Sequence, residues 1–394
     1  MFIERAITQK LLEAVQSATV VILLGPRQAG KTALAQHALE HWRYVSFEDE
    51  EMRTFARDDP KGFLAAFPHQ IILDEIHRAP SLLPRLKKHI ESSETPARFL
   101  IINSHQFASL ADFVALLGQK ARTLNLLPLS IEELHRSGSA FHDFETLLFQ
   151  GFYPELYAYN LPPAEFFPEH VNAYVERRVR FIRNIADIDL FLTFMKMCAA
   201  RIGRVLNLTR LAEDCGVTFK TAKSWLQVLE NSFIVFQLPM FRRPARAQSA
   251  MTTKIYFYDA GLASSLLGVK QKSDLIIHSL KGEFFESFII ADLMKTALSG
   301  GRRFRFSFWR DRAGHEVDLI LETGDEFLAI DFKAGQTFNR DYFAGLNAWS
   351  VSHDSLQSKN FVVYGGQDKQ KHVQATVLGW NRAAEILEDL EKAF

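Results

Sequence analysis

VVILLGPRQAGKTALAQHAL, residues 20–39, runs five β-prone apolar residues into a glycine loop and then into a helix-forming stretch. The loop satisfies G-x-x-x-x-G-K-[ST], and its setting matters as much as its letters. A buried strand, a glycine turn and a helix N-terminus together aim backbone N–H groups at phosphate. Gly25 and Gly30 permit the tight turn, and Pro26, Arg27, Gln28 and Ala29 form the cradle between them. Lys31 would neutralise charge on the β- and γ-phosphates, and Thr32 would ligate magnesium. The expected cofactors are ATP and Mg²⁺.

Working outward, QIILDEIHRAP (70–80) supplies a second buried strand ending in two acids. In such an arrangement Asp74 would hold magnesium, and Glu75 would orient and deprotonate an attacking water. A third apolar strand, ARFLIINSHQ (97–106), ends in Asn103 and Ser104, polar groups placed to sense a γ-phosphate or its water. Strands alternating with helices predict an α/β fold.

A chain of 394 residues exceeds one core and should hold several domains. Hydrophobic residues at 47% and charged residues at 23% exclude a disordered chain, and 46 basic against 46 acidic side chains give no global field for nucleic acid. Any such surface must be local. Basic runs occur at Arg177, Arg178, Arg180 and Arg183, at Arg242, Arg243 and Arg246, and at Arg302, Arg303, Arg305, Arg310 and Arg312. Two cysteines, Cys198 and Cys215, exclude a disulfide framework and a zinc cluster. The apolar run VVILL is too short for a signal peptide, and no stretch reaches the ~18–20 residues of a membrane span. The expectation is a cytoplasmic protein with no membrane partner.

Residues 207–239, NLTRLAEDCGVTFKTAKSWLQVLENSFIVFQLP, read as two short helices across Gly216, capped by Thr209 and Thr218, followed by a β-rich segment. That is the pattern of a helix-turn-helix with a wing. Ala222, Leu226 and Leu229 form the buried stripe of the second helix, which leaves Lys220, Thr221 and Lys223 near its free face. With Arg242 and Arg243 they could contact double-stranded DNA, or the same module could rest on another part of the protein.

HEVDLILETGDEFLAIDFKAG, residues 315–335, reads as a hairpin turning at Gly324-Asp325. Counting outward, Asp318 falls opposite Asp331 and Glu316 opposite Lys333. Alternation sends Val317, Leu319 and Leu321 one way with Leu328, Ile330 and Phe332, and gathers the charged residues on the reverse. Like charges directly opposed are unfavourable, so two facing carboxylates make better sense around Mg²⁺ or Mn²⁺. Upstream, Glu286 shares a helical stripe with Ile289, Ile290 and Leu293, where an unpaired carboxylate would be costly; a metal or a basic partner would remove the cost. Glu283 is the runner-up.

GPRQAGKT, ILDEIHRAP and LLPLSIEEL together resemble the prokaryotic predicted ATPases of the AAA+ superfamily that carry an appended domain of unknown function. GFYPELY (151–157), YVERRVR (174–180), RIGRVLNLTRLAEDCGV (201–217), KIYFYDAGLASSLLG (254–268) and GEFFESFIIADL (282–293) follow in the same order. The chain departs from that family at Ile102-Asn103-Ser104-His105-Gln106, where T-G-S-Q is typical, and before LLPLS, where Lys120 or Arg122, or neither, stands for a Gly-Arg pair. Helix-borne Glu, then Asp, then Asp-x-Lys resembles the PD-(D/E)xK nuclease superfamily. That resemblance implies Asp318, Asp331 and Glu286 as metal-holding acids and Lys333 as the catalytic cation. The implied layout is a P-loop ATPase core (1–130), a helical lid (131–200), a winged helix-turn-helix (201–270) and a restriction-endonuclease-like α/β domain (271–394). The implied function is an ATPase acting on DNA with a magnesium-dependent nuclease-like site; the alternatives are a regulatory or scaffold ATPase whose last domain only binds a partner, and a DNA-binding regulator. A homo-oligomer would let an arginine reach a neighbouring nucleotide.

Overall fold

A computed structural model describes residues 2–92, 98–139, 141–177, 187–242, 252–300 and 304–388. Arg178, Arg180, Arg183, Arg243, Arg246, Arg302 and Arg303 lie outside the described residues. The chain divides into two compact units: one comprises residues up to Leu129, with Asn231–Phe233 and a short segment from Leu298, and the other is built from Ser130 onward.

The first unit is a five-stranded sheet of β1 (Val20–Leu24), β2 (Arg43–Ser46), β3 (Ile71–Asp74), β4 (Phe99–Asn103) and β5 (Ala121–Asn125). Its order is β2-β3-β4-β1-β5, and every pairing is parallel. Strands β1, β3 and β4 are buried at every position, which is why they read as unbroken apolar runs. Leu11 and Val15 from helix Thr8–Ser17 and Leu34 and Ala35 from helix Lys31–Ala38 pack on Val21, Leu23, Leu100 and Ile102. With all strands pointing one way, the ends of β1, β3 and β4 bring the glycine loop, Asp74-Glu75 and Asn103-Ser104 to one edge, where open α/β sheets bind ligands.

The second unit begins with helices. GFYPELY and YDAGLAS, which look like unrelated motifs in sequence, meet there. Asp259 caps helix Ala260–Leu266 by accepting from Leu262 N–H at 2.8 Å, and its other oxygen accepts from Phe152 N–H at 2.6 Å. A Cβ on Gly261 would stand 2.6 Å from the Gly151 Cα, so both motifs require glycine where their backbones touch.

Helix Leu208–Asp214 is capped by Asn207, not Thr209, the Asn207 side chain accepting from Arg210 N–H at 3.0 Å. Gly216 turns the chain at φ 66°, Thr218 accepts from Thr221 N–H at 3.1 Å, and helix Phe219–Asn231 buries Ala222, Trp225, Leu226 and Leu229. An antiparallel pair follows, β6 (Val235–Pro239) with β7 (Thr253–Phe257).

The C-terminal sheet is mixed, in the order β12-β13-β11-β10-β9-β8. Its strands are β8 (Arg305–Arg310), β9 (Glu316–Thr323), β10 (Glu326–Lys333), β11 (Gln357–Tyr364), β12 (Gln370–Lys371) and β13 (Thr376–Gly379). The β9–β10 hairpin turns at Gly324-Asp325, and its ladder keeps the expected register from Thr323–Glu326 to Leu319–Ile330. Two expectations for it are corrected. The hairpin does not simply bury one face and gather charge on the reverse: β10 is central, paired with β9 and β11, and buried from Phe327 through Phe332. Nor does strict alternation survive. Between β8 and β9 the register shifts, so that Asp318 and Leu319 together oppose Phe308. This bulge turns Val317 into the cluster of Ile320, Phe327, Ala329, Leu346 and Trp349 and re-aims Asp318.

Candidate functional site

Two polar constellations stand out, one in each unit. In the first, the glycine loop packs tightly against the segment after β5. A Cβ on Gly25 would lie 1.8 Å from the Leu126 carbonyl oxygen, so glycine is needed for close backbone approach. Gly30, at φ 90°, precedes helix Lys31–Ala38 and offers no capping side chain to the first-turn N–H groups. Lys31 is buried and folded back, its ammonium donating to the carbonyls of Gly25 at 2.9 Å and Pro26 at 2.6 Å. Arg27 leaves the loop to pair with Glu48 at 2.9 Å. Gln28 adopts φ 60°, and Ala29 closes a turn onto the Pro26 carbonyl.

Thr32 Oγ1 donates to Asp74 Oδ2 at 2.6 Å, and the Tyr44 hydroxyl donates to the same oxygen at 2.9 Å. Burial raises the Asp74 carboxyl above its ordinary range, partly offset by these bonds. A hydroxyl and a carboxylate in contact beside a phosphate-binding loop are the hard oxygen donors that Mg²⁺ prefers, so these residues fit that ion. Glu75 adopts φ 55°, ψ 47°, a conformation uncommon outside glycine and frequent at functional sites. Burial opposes its ionisation but is outweighed by the hydrogen bond to His77, by Lys31 and by Ser104, which hold its carboxyl well below the usual range. His77 Nδ1 lies 2.9 Å from Glu75 Oε2, and the Ser104 hydroxyl donates to Glu75 Oε1 in a very short contact. Asn103 is engaged elsewhere: its amide donates to the His105 carbonyl at 2.5 Å, and its oxygen lies 2.9 Å from His77 Nδ1.

Three of these contacts had no sequence signal. Arg5 is buried and donates to the carbonyls of Ala29 and Leu127, both at 2.7 Å, clasping the loop from a residue before the first strand. Tyr44 and His77 are likewise visible only once β2, β3 and β4 lie side by side.

The second constellation gathers Glu286, Asp318, Asp331 and Lys333. Lys333 Nζ lies 3.9 Å from Asp318 and 3.7 Å from Asp331. Past the end of the ladder the two acids bind backbone: Asp331 accepts from Asp318 N–H at 3.3 Å, and Asp318 accepts from Phe332 N–H at 2.9 Å. Glu316 does not oppose Lys333. It joins a cation that sequence reasoning missed, Lys254 of β7, at 2.5 Å, and the same ammonium lies 2.9 Å from Glu286 and 3.8 Å from Asp318. Tyr256, two residues along β7 and so on the same face, donates to Glu286 Oε1. The available signal was a lysine alternating with tyrosine inside the strand KIYFY.

Burial and the neighbouring Asp318 push the Glu286 carboxyl up to about 8, against the pull of Lys254 and Tyr256. Burial and Asp318 also raise Asp331, with Lys333 opposing. Glu283 stands apart, paired with Arg204 at 3.1 Å. Among the described residues no three His, Cys, Asp or Glu side chains are placed to hold a metal ion as the chain stands; Glu286, Asp318 and Asp331 gather around the ammonium groups of Lys254 and Lys333. The basic partner anticipated for Glu286 is Lys254.

Of the residues expected to contact DNA, Lys220, Lys223 and Arg242 are exposed and Thr221 is half-buried, its N–H capped by Thr218. Among the described residues no helix is long and apolar enough to cross a membrane.

Residues 17–135 match the profile of an AAA domain. The first unit thus resembles a P-loop domain of the AAA type over most of its length. Two regions of the second unit match domains of unknown function, DUF8612 over residues 141–273 and DUF4143 over residues 281–382. Uncharacterized proteins of Mycobacterium bovis and Mycobacterium tuberculosis are each 28% identical over 343 residues, 86% of this chain and 75% of theirs. Among solved structures, the Walker-type ATPase of Pyrococcus abyssi aligns with a TM-score of 0.44 at 12% identity, over 67% of this chain and 96% of that one. AMPPCP-bound DnaA from Aquifex aeolicus aligns with a TM-score of 0.30 at 12% identity, over 58% and 89%.

Proposed function

We propose that this chain is an ATP-hydrolysing P-loop ATPase that acts on double-stranded DNA. The observation that carries the hydrolytic part is Glu75, kept ionised by His77, Ser104 and Lys31 beside the Thr32–Asp74 pair. In the bound state the loop from Gly25 to Gly30 and the N-terminus of helix Lys31–Ala38 cradle the phosphates. Lys31 exchanges the carbonyls of Gly25 and Pro26 for phosphate oxygens. Thr32 and Asp74 would hold Mg²⁺, which would supply charge neutralisation at the phosphates. Glu75 takes a proton from the attacking water as the bond between γ-phosphorus and the bridging oxygen breaks, releasing ADP and phosphate. Ser104 keeps the carboxylate aimed, and Asn103 fixes His77 behind it.

DNA contact is assigned to the winged-helix-like module, through Lys220, Thr221 and Lys223 on its second helix and Arg242 and Arg243 beyond β6. For the C-terminal unit two readings stand. Asp318, Asp331 and Lys333 lie together as a PD-(D/E)xK site requires, which favours magnesium-dependent cutting. Lys254 among Glu286, Glu316 and Asp318 favours the second, a regulatory ATPase whose nuclease-like domain binds a partner without cutting.

The test is ATP turnover together with DNA cleavage in Mg²⁺ or Mn²⁺, with and without ATP. Lys31→Ala and Glu75→Gln are expected to abolish turnover, Glu75→Gln while retaining bound nucleotide. Turnover unchanged in either variant refutes the ATPase assignment. Cleavage lost in Asp318→Ala and Lys333→Ala supports the first reading of the C-terminal unit; its absence from the wild type under both metals supports the second.

A further inference from the structure

Lys254 has an unusual position for a lysine in a two-stranded hairpin. It is only 3% exposed, its ammonium touches carboxylates from a helix and from β9, and the Phe308 ring covers it with the centroid 5.4 Å away. A buried ammonium is tolerated only where opposite charge and hydrogen bonds replace its water, and here Glu316 and Asp318 supply the charge and Glu286 an accepting oxygen. The oxygen at 2.5 Å falls within the ~2.0–2.6 Å at which carboxylates meet Mg²⁺ or Ca²⁺, and that at 2.9 Å lies slightly beyond it. The cluster's acids are otherwise committed: Glu286 Oε1 accepts from both Lys254 and Tyr256, and Asp318 Oδ2 accepts from Phe332 N–H. The strand paired with the lysine's own is tied to the same sheet. Phe241, just past β6, donates its N–H to the Phe308 carbonyl at 2.6 Å and packs its ring on Phe327 and Trp349.

We propose that Lys254 is a built-in cation: its ammonium lies against Glu286 and Asp318, two of the three acids expected to hold a divalent metal in a cutting site, and against Glu316, and so closes the carboxylate cluster to metal. The inference rests on reading the C-terminal unit as nuclease-like and sets how that site is regulated. A divalent ion shared by Glu286 and Asp318 would have to sit within about 3–4 Å of the ammonium, where like charges in a poorly solvated site repel strongly. The two cations therefore exclude each other. Removing the lysine leaves over-acidic oxygens around a vacated cation position, which is what a hard divalent ion needs.

The experiment uses the full chain carrying Asp74→Asn, which silences the magnesium position of the ATPase unit, and titrates Mn²⁺ without nucleotide while free Mn²⁺ is read by electron paramagnetic resonance. The parent is expected to show no Asp318-dependent site. Adding Lys254→Met should create one Mn²⁺ per chain, bound at least tenfold more tightly than any site of the parent and lost again with Asp318→Asn; Lys254→Arg, which keeps the charge, should stay silent. An Asp318-dependent Mn²⁺ site in the parent overturns the proposal, as does a folded Lys254→Met chain, by circular dichroism and melting, that gains none. If Lys254→Met does not fold, the parent compared with its Asp318→Asn form decides alone. DNA nicking measured on the same proteins separates the two ideas. A Lys254→Met chain that binds Mn²⁺ without nicking upholds the built-in cation and removes the cutting reading, whereas Asp318-dependent nicking by the parent does the reverse.

Discussion

Gly25→Ala tests the nucleotide site with the smallest possible change, one methyl group. The new Cβ would stand 1.8 Å from the Leu126 carbonyl oxygen, about 1.6 Å short of the 3.4 Å at which ordinary contact begins. The obstacle is backbone that continues β5, whose Leu126 N–H donates to the Leu24 carbonyl at 2.7 Å, so it cannot rotate away like a side chain. The loop must move instead, and with it the carbonyls of Gly25 and Pro26 that hold Lys31. Displacing a positioned group by ~1 Å costs on the order of 100-fold in enzyme sites, or about 2.7 kcal/mol. Gly25→Ala is therefore expected to weaken ATP binding, measured by a fluorescent analogue or calorimetry, by about 100-fold while the chain stays folded. Gly324→Ala is the control. It also has a positive φ, 58°, but nothing lies within 4 Å of its added methyl, so it should cost about 1 kcal/mol of stability and leave ATP binding unchanged. Binding by Gly25→Ala within about threefold of wild type would refute the close-approach argument.

Ser104→Ala removes the hydroxyl that donates to Glu75; a hydrogen bond to a charged group is worth about 1.5–3 kcal/mol, so turnover should fall by about 10- to 100-fold with ATP affinity little changed. A matching loss of affinity would place Ser104 on the nucleotide instead. Asp259→Ala strands the N–H groups of Phe152 and Leu262 where the two glycine motifs meet, and should lower stability by about 2–5 kcal/mol in denaturant titration; a loss under about 1 kcal/mol would show the junction to be dispensable. The pH prediction concerns Glu286. Its carboxyl rises from 4.5 to about 8 on folding, so the folded chain binds the extra proton and the associated stability is fully present below pH 4.5 and lost as pH climbs towards 8. Glu286→Gln, a permanent mimic of the protonated acid, should flatten melting temperature against pH across that window. An unchanged slope would mean that Glu286 is ionised throughout.

That the glycine loop, Asp74-Glu75 and Asn103-Ser104 come together was largely legible because these parts are contiguous or end parallel strands. Gly25 to Thr32 forms one loop, and Asp74, Glu75, Asn103 and Ser104 each follow an apolar run whose direction the α/β pattern dictates. The two helices across Gly216 were legible for the same reason, although the first cap is Asn207. What could not be read were the lateral contacts. Arg5 reaches Ala29 and Leu127, and Ser104 binds Glu75, only after strand order is chosen, and a one-letter alphabet carries no strand order.

The C-terminal hairpin marks the boundary most clearly. Its local chemistry fixed the turn at Gly324-Asp325 and the register up to Leu319–Ile330, because a two-residue loop leaves a single counting rule. The bulge opposite Phe308, the burial of both faces of β10 and the arrival of Lys254 depend on β8, β11 and β7, which lie up to some sixty residues away in sequence. The sequence by itself determined that two aspartates and a lysine would meet. Only the tertiary structure decided that a second cation joins them, since that depends on a strand from another part of the chain delivering the Lys254 ammonium beside Asp318.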